Sequence, residues 1–385
     1  MLTLSGKVLS VSEAQHDNSQ RRRVYSLTTN DNLPLPLRAQ KALIYHHDGS
    51  PPPGYEHYIF IGKTPSSWAE ASNYTVVPES FDYLGEGDVV ALSETGIRSL
   101  YRANSRHNSL LLTERCNHYC LMCSQPPKRS DDSWLLDEAF DAIRLMPRST
   151  QTLGITGGEP TLYRDGFLQL IRHIQSYLPN AALHILSNGR AFSDVEFTGR
   201  YATIKHQNLM LGIPLYSSDP TRHDYVVQSR GAFDETIRGI LNLKQHQQKV
   251  ELRVVLHKLT SQGLPDLAEF IARNLLFVDQ VALMGLEMTG FTLANLNELW
   301  IDPVDYQSEL RAAVRTLDAY GIPVSIYNHQ LCLIPQDLER FSVKSISDWK
   351  NEFVSECESC TRMHECGGFF SSGIVNGYSP SIKKF

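Results

Sequence analysis

Long hydrophobic runs are missing from this 385-residue chain: no apolar stretch approaches the roughly 18 residues that span a bilayer. Met1 to Val11 also lacks the basic start and unbroken apolar core of a secretory signal. Both absences point to a cytoplasmic chain without a membrane partner. An excess of positive charge is missing too. The 36 Lys and Arg are outnumbered by 42 Asp and Glu, and the net charge of -6 argues against a dedicated nucleic-acid binder. Neither a collagen-like glycine period nor a single-residue tract is present among 24 Gly and 19 Pro, and no internal repeat stands out. What remains has ordinary globular composition, 42% hydrophobic and 20% charged. At a prior of roughly 150 residues per domain, the length suggests two or three domains.

The seven Cys are an odd number and fall into two groups, Cys116, Cys120, Cys123 and then Cys332, Cys357, Cys360, Cys366. In a reducing compartment such clustering favours metal ligation over disulfides.

Residues 1–106 carry short β-like runs, such as Thr75–Pro78 and Asp88–Leu92, separated by Pro and Gly signals that include Pro51-Pro52-Pro53-Gly54. This reads as a β-rich N-terminal domain. From about residue 107 short apolar runs alternate with amphipathic stretches, the pattern of βα units around a parallel sheet. The strand candidates are Ser109–Thr113, Thr152–Ile155, Ala182–Leu186, Leu209–Ile213, Glu251–Leu256 and Val278–Leu283, with Val324–Tyr327 as a short seventh. The clearest helix starts at Asp302 as N-cap with Pro303 at its first position, carries a stripe of Leu310, Ala313, Val314 and Leu317, and stops at Gly321. Six units fall short of the eight of a closed barrel. The expected fold class is therefore α/β: a partial (β/α)6 barrel over 107–327, between the β-rich domain and a Cys-rich extension over 328–385.

Cys116, Cys120 and Cys123 follow the first barrel strand directly, on the face where α/β barrels carry their chemistry. Three thiolates in a C-x3-C-x2-C loop can hold three irons of a cubane and leave the fourth open. Zinc is the other reading, with His118 or a distant Cys as fourth ligand. At the end of the second strand stands Thr156-Gly157-Gly158-Glu159-Pro160, where the glycines admit close approach to the backbone and the carboxylate could take an ammonium group. Ser187-Asn188-Gly189 ends the third strand.

In that order, each one βα step after the last, these motifs resemble the radical S-adenosylmethionine (SAM) superfamily. The resemblance implies that Cys116, Cys120 and Cys123 bind a 4Fe-4S cluster whose fourth iron is chelated by SAM. It implies that Gly157, Gly158 and Glu159 form the loop that takes the SAM amino group, that the backbone of Met122 meets the adenine, and that Ser187 and Asn188 face the sugar and methionine part. Arg253 is a plausible partner for the SAM carboxylate, a salt bridge being the competing role. The implied reaction is reductive cleavage of SAM to methionine and a 5'-deoxyadenosyl radical that abstracts a hydrogen from the substrate, with a flavodoxin or ferredoxin as electron donor. Glu287 is placed for substrate contact or as a surface carboxylate, and Tyr216, His223 and Asp224 could line the cavity without assigned roles.

Cys332, Cys357, Cys360 and Cys366 are the complement for a second, auxiliary 4Fe-4S cluster or a four-thiolate zinc site. The Cys357-x2-Cys360-x5-Cys366 part resembles the SPASM or twitch region of peptide-modifying radical SAM enzymes, although no further Cys follows Gly367-Gly368-Phe369-Phe370. Together with Thr113–Pro127 and Gly285–Gly290, it resembles the HxsC family of His-Xaa-Ser system radical SAM maturases. The resemblance implies a ribosomally made peptide substrate and a partner radical SAM protein. Residues 1–106 could then bind the peptide at a sheet edge or merely cap the barrel. A radical SAM enzyme acting on a small molecule or nucleoside, and a non-enzymatic zinc-binding scaffold, are the alternative functions.

Overall fold

The computed structural model describes residues 3–12, 22–47, 49–64, 73–344 and 351–385. Met1 and Leu2, at the start of the segment read for a secretory signal, lie outside them. Among the described residues no helix is long and apolar enough to cross a membrane. By contacts the chain divides into two units, one of residues 1–111, 133–154 and 169–182, the other of 112–132, 155–168 and 183–385.

The first unit is built on eight strands: β1 (Ser5–Lys7), β2 (Ser10–Ser12), β3 (Arg23–Thr28), β4 (Ala42–Ile44), β5 (His57–Ile61), β6 (Tyr74–Val77), β7 (Val89–Leu92) and β8 (Gly96–Tyr101). They form one sheet in the order β1-β8-β7-β3-β4-β5-β6-β2. The successive strands β1 and β2 occupy its two ends, so the chain between them links opposite edges of a curled sheet. Side chains alternate across it as the pleat requires. On β5, Ile59 joins a core with Leu27, Val77, Phe81 and Val90, while Tyr58 and Phe60 join a second with Leu43, Tyr55 and Val76. The helix Trp134–Leu145 belongs to this unit. Its buried Glu138 pairs with Arg98 at 2.7 Å, and Arg22 stacks on Trp134 at 3.7 Å.

The second sheet has seven strands: β9 (Ser109–Leu111), β10 (Thr152–Thr156), β11 (Ala182–Leu186), β12 (Leu209–Pro214), β13 (Lys249–Leu256), β14 (Gln280–Gly285) and β15 (Val324–Tyr327). Their spatial order is their chain order, and β11 to β15 pair in parallel. One face is sealed by Ile185, Leu211, Ile213, Leu252, Val254 and Val281, all essentially fully buried. The alternating face, with His184, Met210, Arg253 and Met284, is only half-buried. The loops beyond the C-terminal ends of these strands carry the chemistry-bearing motifs.

Several boundaries differ from the sequence expectation: β9 ends at Leu111 rather than Thr113, β10 and β12 each run one residue further, and β13 starts at Lys249 rather than Glu251. β14 begins at Gln280 rather than Val278, because Leu275 accepts from Val278 in a turn and Asp279 donates its amide to Val250. Asp302 does cap, accepting from Val304 at 3.1 Å, but the first turn, Pro303–Tyr306, is 3-10 before the helix Gln307–Ala319. After β15 the described chain is short turns, a helix Ser371–Asn376 and isolated bridges at Ile326 with Ser342 and Glu352 with Phe369.

Candidate functional site

The loop after β9 is fixed at its start by Asp132. That buried carboxylate accepts from the Thr113 hydroxyl at 3.0 Å and the Glu114 amide at 2.5 Å, and it pairs with Arg115. Further along, the amides of Tyr119 and Leu121 donate to the carbonyls of Val227 and Val226. From the segment after β14, Asn295 donates to the Leu121 carbonyl at 2.9 Å and Phe291 to the Cys123 carbonyl at 2.8 Å. Gly290 belongs to that clamp: at φ +59 and with the Cys123 and Ser124 carbonyls against the place of a Cβ, no side chain fits. The loop's shape is thus set by chain outside it.

This loop brings Cys116, Cys120 and Cys123 within electrostatic reach of one another. Burial pushes the Cys116 thiol up to about 12, with the negative charges of Glu159 and Cys123 adding to it. Cys120 is driven higher still by burial and by both neighbours, and Cys123 is raised by burial. Met122 and Cys120 pack in an apolar cluster with Tyr216, Val227 and Leu299, against which Val255 and Leu286 lie. His118, within this loop between Cys116 and Cys120, is buried, its value lowered to about 3 by burial and by the Arg190 charge.

The loop after β10 is pressed against the cysteine loop. A Cβ on Gly157 would stand 2.7 Å from the Thr113 carbonyl, and one on Gly158 would overlap the Arg115 carbonyl. Glu159, 1% exposed, accepts from Thr161 N at 3.0 Å, Thr161 Oγ1 at 2.5 Å, Ser187 Oγ at 2.9 Å and Asn188 N at 2.6 Å. Its carboxylate therefore ties the second motif to the third, with three of four donors on Oε1. Burial raises it above the ordinary value. Asn188 donates from Nδ2 to Asn117 at 2.6 Å, which joins the third motif to the first. The three motifs form one hydrogen-bonded body, and the side chains read as facing a ligand spend their polar atoms mainly on one another.

Arg253 lies on the half-buried face of β13, where Nη1 pairs with Glu251 at 2.7 Å and Nη2 donates to the Met284 sulfur at 3.0 Å. Glu251 also meets His184 Nε2 at 3.3 Å across β12. Gly212 makes that reach possible, since a Cβ there would come within 2.9 Å of Arg253 Cδ and 3.1 Å of His184 Nε2. Burial works to raise the Glu251 carboxyl, and the His184 hydrogen bond and Arg253 charge outweigh it, so the value is lowered. Sequence reasoning missed Glu251. Its signal was a carboxylate two residues before Arg253 in an apolar strand, hence on the same face.

Of the unassigned residues, Asp224 caps the helix Ala232–Gln245 by accepting from Gly231 and Phe233. His223, lowered to about 4 by burial, accepts from the Tyr216 amide at 3.2 Å. Tyr216 packs in the cluster with Met122 and feels the Arg253 charge, its hydroxyl held well above the ordinary value by burial and by Cys120. Glu287 lines a cleft and is not a plain surface carboxylate.

The thiols of the second cysteine group likewise lie within electrostatic reach of one another. Cys332 is raised by burial and feels Cys366 and Cys360, and Cys357 is raised by burial and feels the other three. Cys366 Sγ accepts from the amides of Leu331 and Gly368, both at 3.5 Å.

Among the described residues no three His, Cys, Asp or Glu side chains converge to hold a single metal ion. A cubane asks for something different, one thiolate on each iron. The donor set of the first group, three cysteines on a clamped loop with glycine backbone beside them, fits such a cluster.

Residues 110–271 match the radical SAM superfamily model. A probable GTP 3',8-cyclase from Methanocella arvoryzae is 27% identical over 132 residues, 34% of this chain and 40% of that protein. A GTP 3',8-cyclase from Actinobacillus succinogenes is 30% identical over 145 residues, 36% of this chain and 41% of that protein. The matches thus span about two fifths of the length of these curated relatives. Solved structures with a similar backbone include Streptococcus suis SuiB, at TM-score 0.46 and 15% identity, covering 58% of this chain and 49% of that one. Another is anSMEcpe with bound AdoMet and the Kp18Cys peptide, at TM-score 0.48 and 13% identity over 72% of this chain and 92% of that one.

Residues 110–271 are therefore a radical SAM superfamily domain. The family implies a 4Fe-4S cluster and SAM as cofactors.

Proposed function

We propose that this chain is a radical SAM enzyme that modifies a ribosomally made peptide. Cys116, Cys120 and Cys123 hold the 4Fe-4S cluster, and Met122, Gly157, Gly158, Glu159, Ser187, Asn188 and Arg253 form the SAM side of the site. The observation that carries the reading is the single hydrogen-bonded body of the three motifs, centred on Glu159, with the Gly158 backbone against Arg115 and Cys116. When bound, the cluster and SAM supply a one-electron reductive cleavage that generates a hydrogen-abstracting radical. The protein's part is positional. Glu159 fixes the loops, Glu251 and Met284 hold Arg253, and the apolar cluster of Met122, Tyr216, Val255 and Leu286 keeps water away.

The half-open sheet face favours a peptide over a nucleoside triphosphate. It carries one arginine, Arg253, already paired with Glu251, and Lys249 exposed at the strand entry. A triphosphate calls for several converging cations. The division into 1–106, 107–327 and 328–385, a second cluster on Cys332, Cys357, Cys360 and Cys366, an electron-donor protein and a partner radical SAM protein belong to the same proposal.

The test is anaerobic reconstitution with iron and sulfide, followed by SAM and dithionite. Mass spectrometry should detect 5'-deoxyadenosine, which vanishes in the Cys116, Cys120, Cys123 triple Ala variant. Zinc in place of iron, with no deoxyadenosine, overturns the reading.

A further inference from the structure

Beyond the end of β14 lies a cleft that none of the three motifs enters. Its walls combine polar groups with apolar and aromatic ones, Leu286, Trp300, Phe369, Phe370 and Tyr378 among the latter, and Glu287 is the one charged residue in its lining. Among the described residues the Glu287 carboxylate has no hydrogen bond or ion pair. Ser372, also in the lining, has a buried hydroxyl without a partner there. A half-buried carboxylate with no cation beside it is complemented by a ligand that brings positive charge and N–H donors. Aromatic faces favour the same ligand through their quadrupoles.

The cleft is also well placed. Leu286, the residue before Glu287, packs against the cluster of Met122 and Cys120. On another wall, Gly368 donates to Cys366 Sγ. A group seated in the cleft thus lies beside chain from both cysteine groups.

We propose that this cleft binds a cationic side chain of the substrate, with the Glu287 carboxylate as its counter-charge. The proposal rests on the peptide reading above and deepens it: the substrate peptide carries a basic residue that anchors it there.

The probes are N-acetyl-arginine methylamide and its uncharged counterpart N-acetyl-norleucine methylamide, titrated into the full chain by ligand-observed NMR. The arginine probe should bind at least about tenfold more tightly. In Glu287→Gln the preference should fall to within about twofold, in Glu287→Asp it should partly persist, and an unchanged melting midpoint shows that each variant is folded. Equal binding of both probes by the wild-type chain, no binding of the arginine probe, or a preference kept in folded Glu287→Gln overturns the proposal. Deoxyadenosine formation by the wild-type chain separates the two failures. If it occurs and the preference is missing, only the cleft assignment falls; if it is absent, the enzyme reading falls.

Discussion

The loop bearing Cys116, Cys120 and Cys123 is gripped by chain from elsewhere in its unit: Asp132 at its start, Val226 and Val227 in its middle, Phe291 and Asn295 at its end. Cys332, Cys357, Cys360 and Cys366 are strung along irregular chain, joined by a bridge between Glu352 and Phe369 and by exposed pairs such as Arg362 with Glu365. The difference teaches where order comes from. In the first region backbone hydrogen bonds and close glycine contacts set the thiol positions before anything binds. In the second, the four thiols lie within electrostatic reach of one another on chain with little regular secondary structure of its own.

The sharpest contrast is between two single substitutions. Cys120→Ala should abolish SAM cleavage, whereas Cys360→Ala should leave uncoupled cleavage, both read as deoxyadenosine per protein. Equal and complete loss, with iron otherwise retained, breaks the contrast. Thiol reactivity in the metal-free chain comes next. With Cys116 pushed up to about 12 from an ordinary 9.0, its thiolate is scarcer by a factor on the order of a thousand. Iodoacetamide at pH 8 should therefore alkylate Cys116 and Cys120 last, as peptide mapping would show.

Glycine substitutions test the packing difference. Gly158→Ala drives a methyl into the Arg115 backbone and should cost about 3 kcal/mol or more, with loss of iron from the first group. Gly373→Ala in the helix Ser371–Asn376 meets nothing within 4 Å and should be neutral or stabilise by up to about 1 kcal/mol. Denaturant midpoints decide between them. Glu159→Ala strands donors on Thr161, Ser187 and Asn188 and should cost about 3 kcal/mol. Glu356, exposed and bonded to Ser355 and Tyr378, should be replaceable by Ala without a measurable shift in the midpoint.

Much of this contrast was legible in the sequence. Ala182–Leu186 and Val324–Tyr327 are strands with the bounds their apolar runs suggest, because turn residues stop them on both sides. The order of the three loop motifs was legible because each follows a strand. The partners of those motifs were not. Glu159 reads in one dimension as a carboxylate awaiting an ammonium group, and only the fold shows it serving Ser187 and Asn188. Arg253 reads as a free fork, and its capture by Glu251 and Met284 sits beside Gly212, where a Cβ would crowd it across a strand. The clamp by Gly290, Phe291 and Asn295 joins residues some 170 positions apart, as in the bond from Thr292 to the Met122 carbonyl with a separation of 170. No local pattern carries such information.

The most direct test of the account removes the second region's thiols altogether. A chain with Cys332, Cys357, Cys360 and Cys366 all replaced by Ala is reconstituted with iron and sulfide, reduced, and examined by electron paramagnetic resonance with and without SAM. The account predicts the signal of one reduced 4Fe-4S cluster that changes when SAM is added. A chain that holds no cluster, or whose signal is indifferent to SAM, contradicts the proposal that the three motifs centred on Glu159 make the SAM site without the second cysteine group.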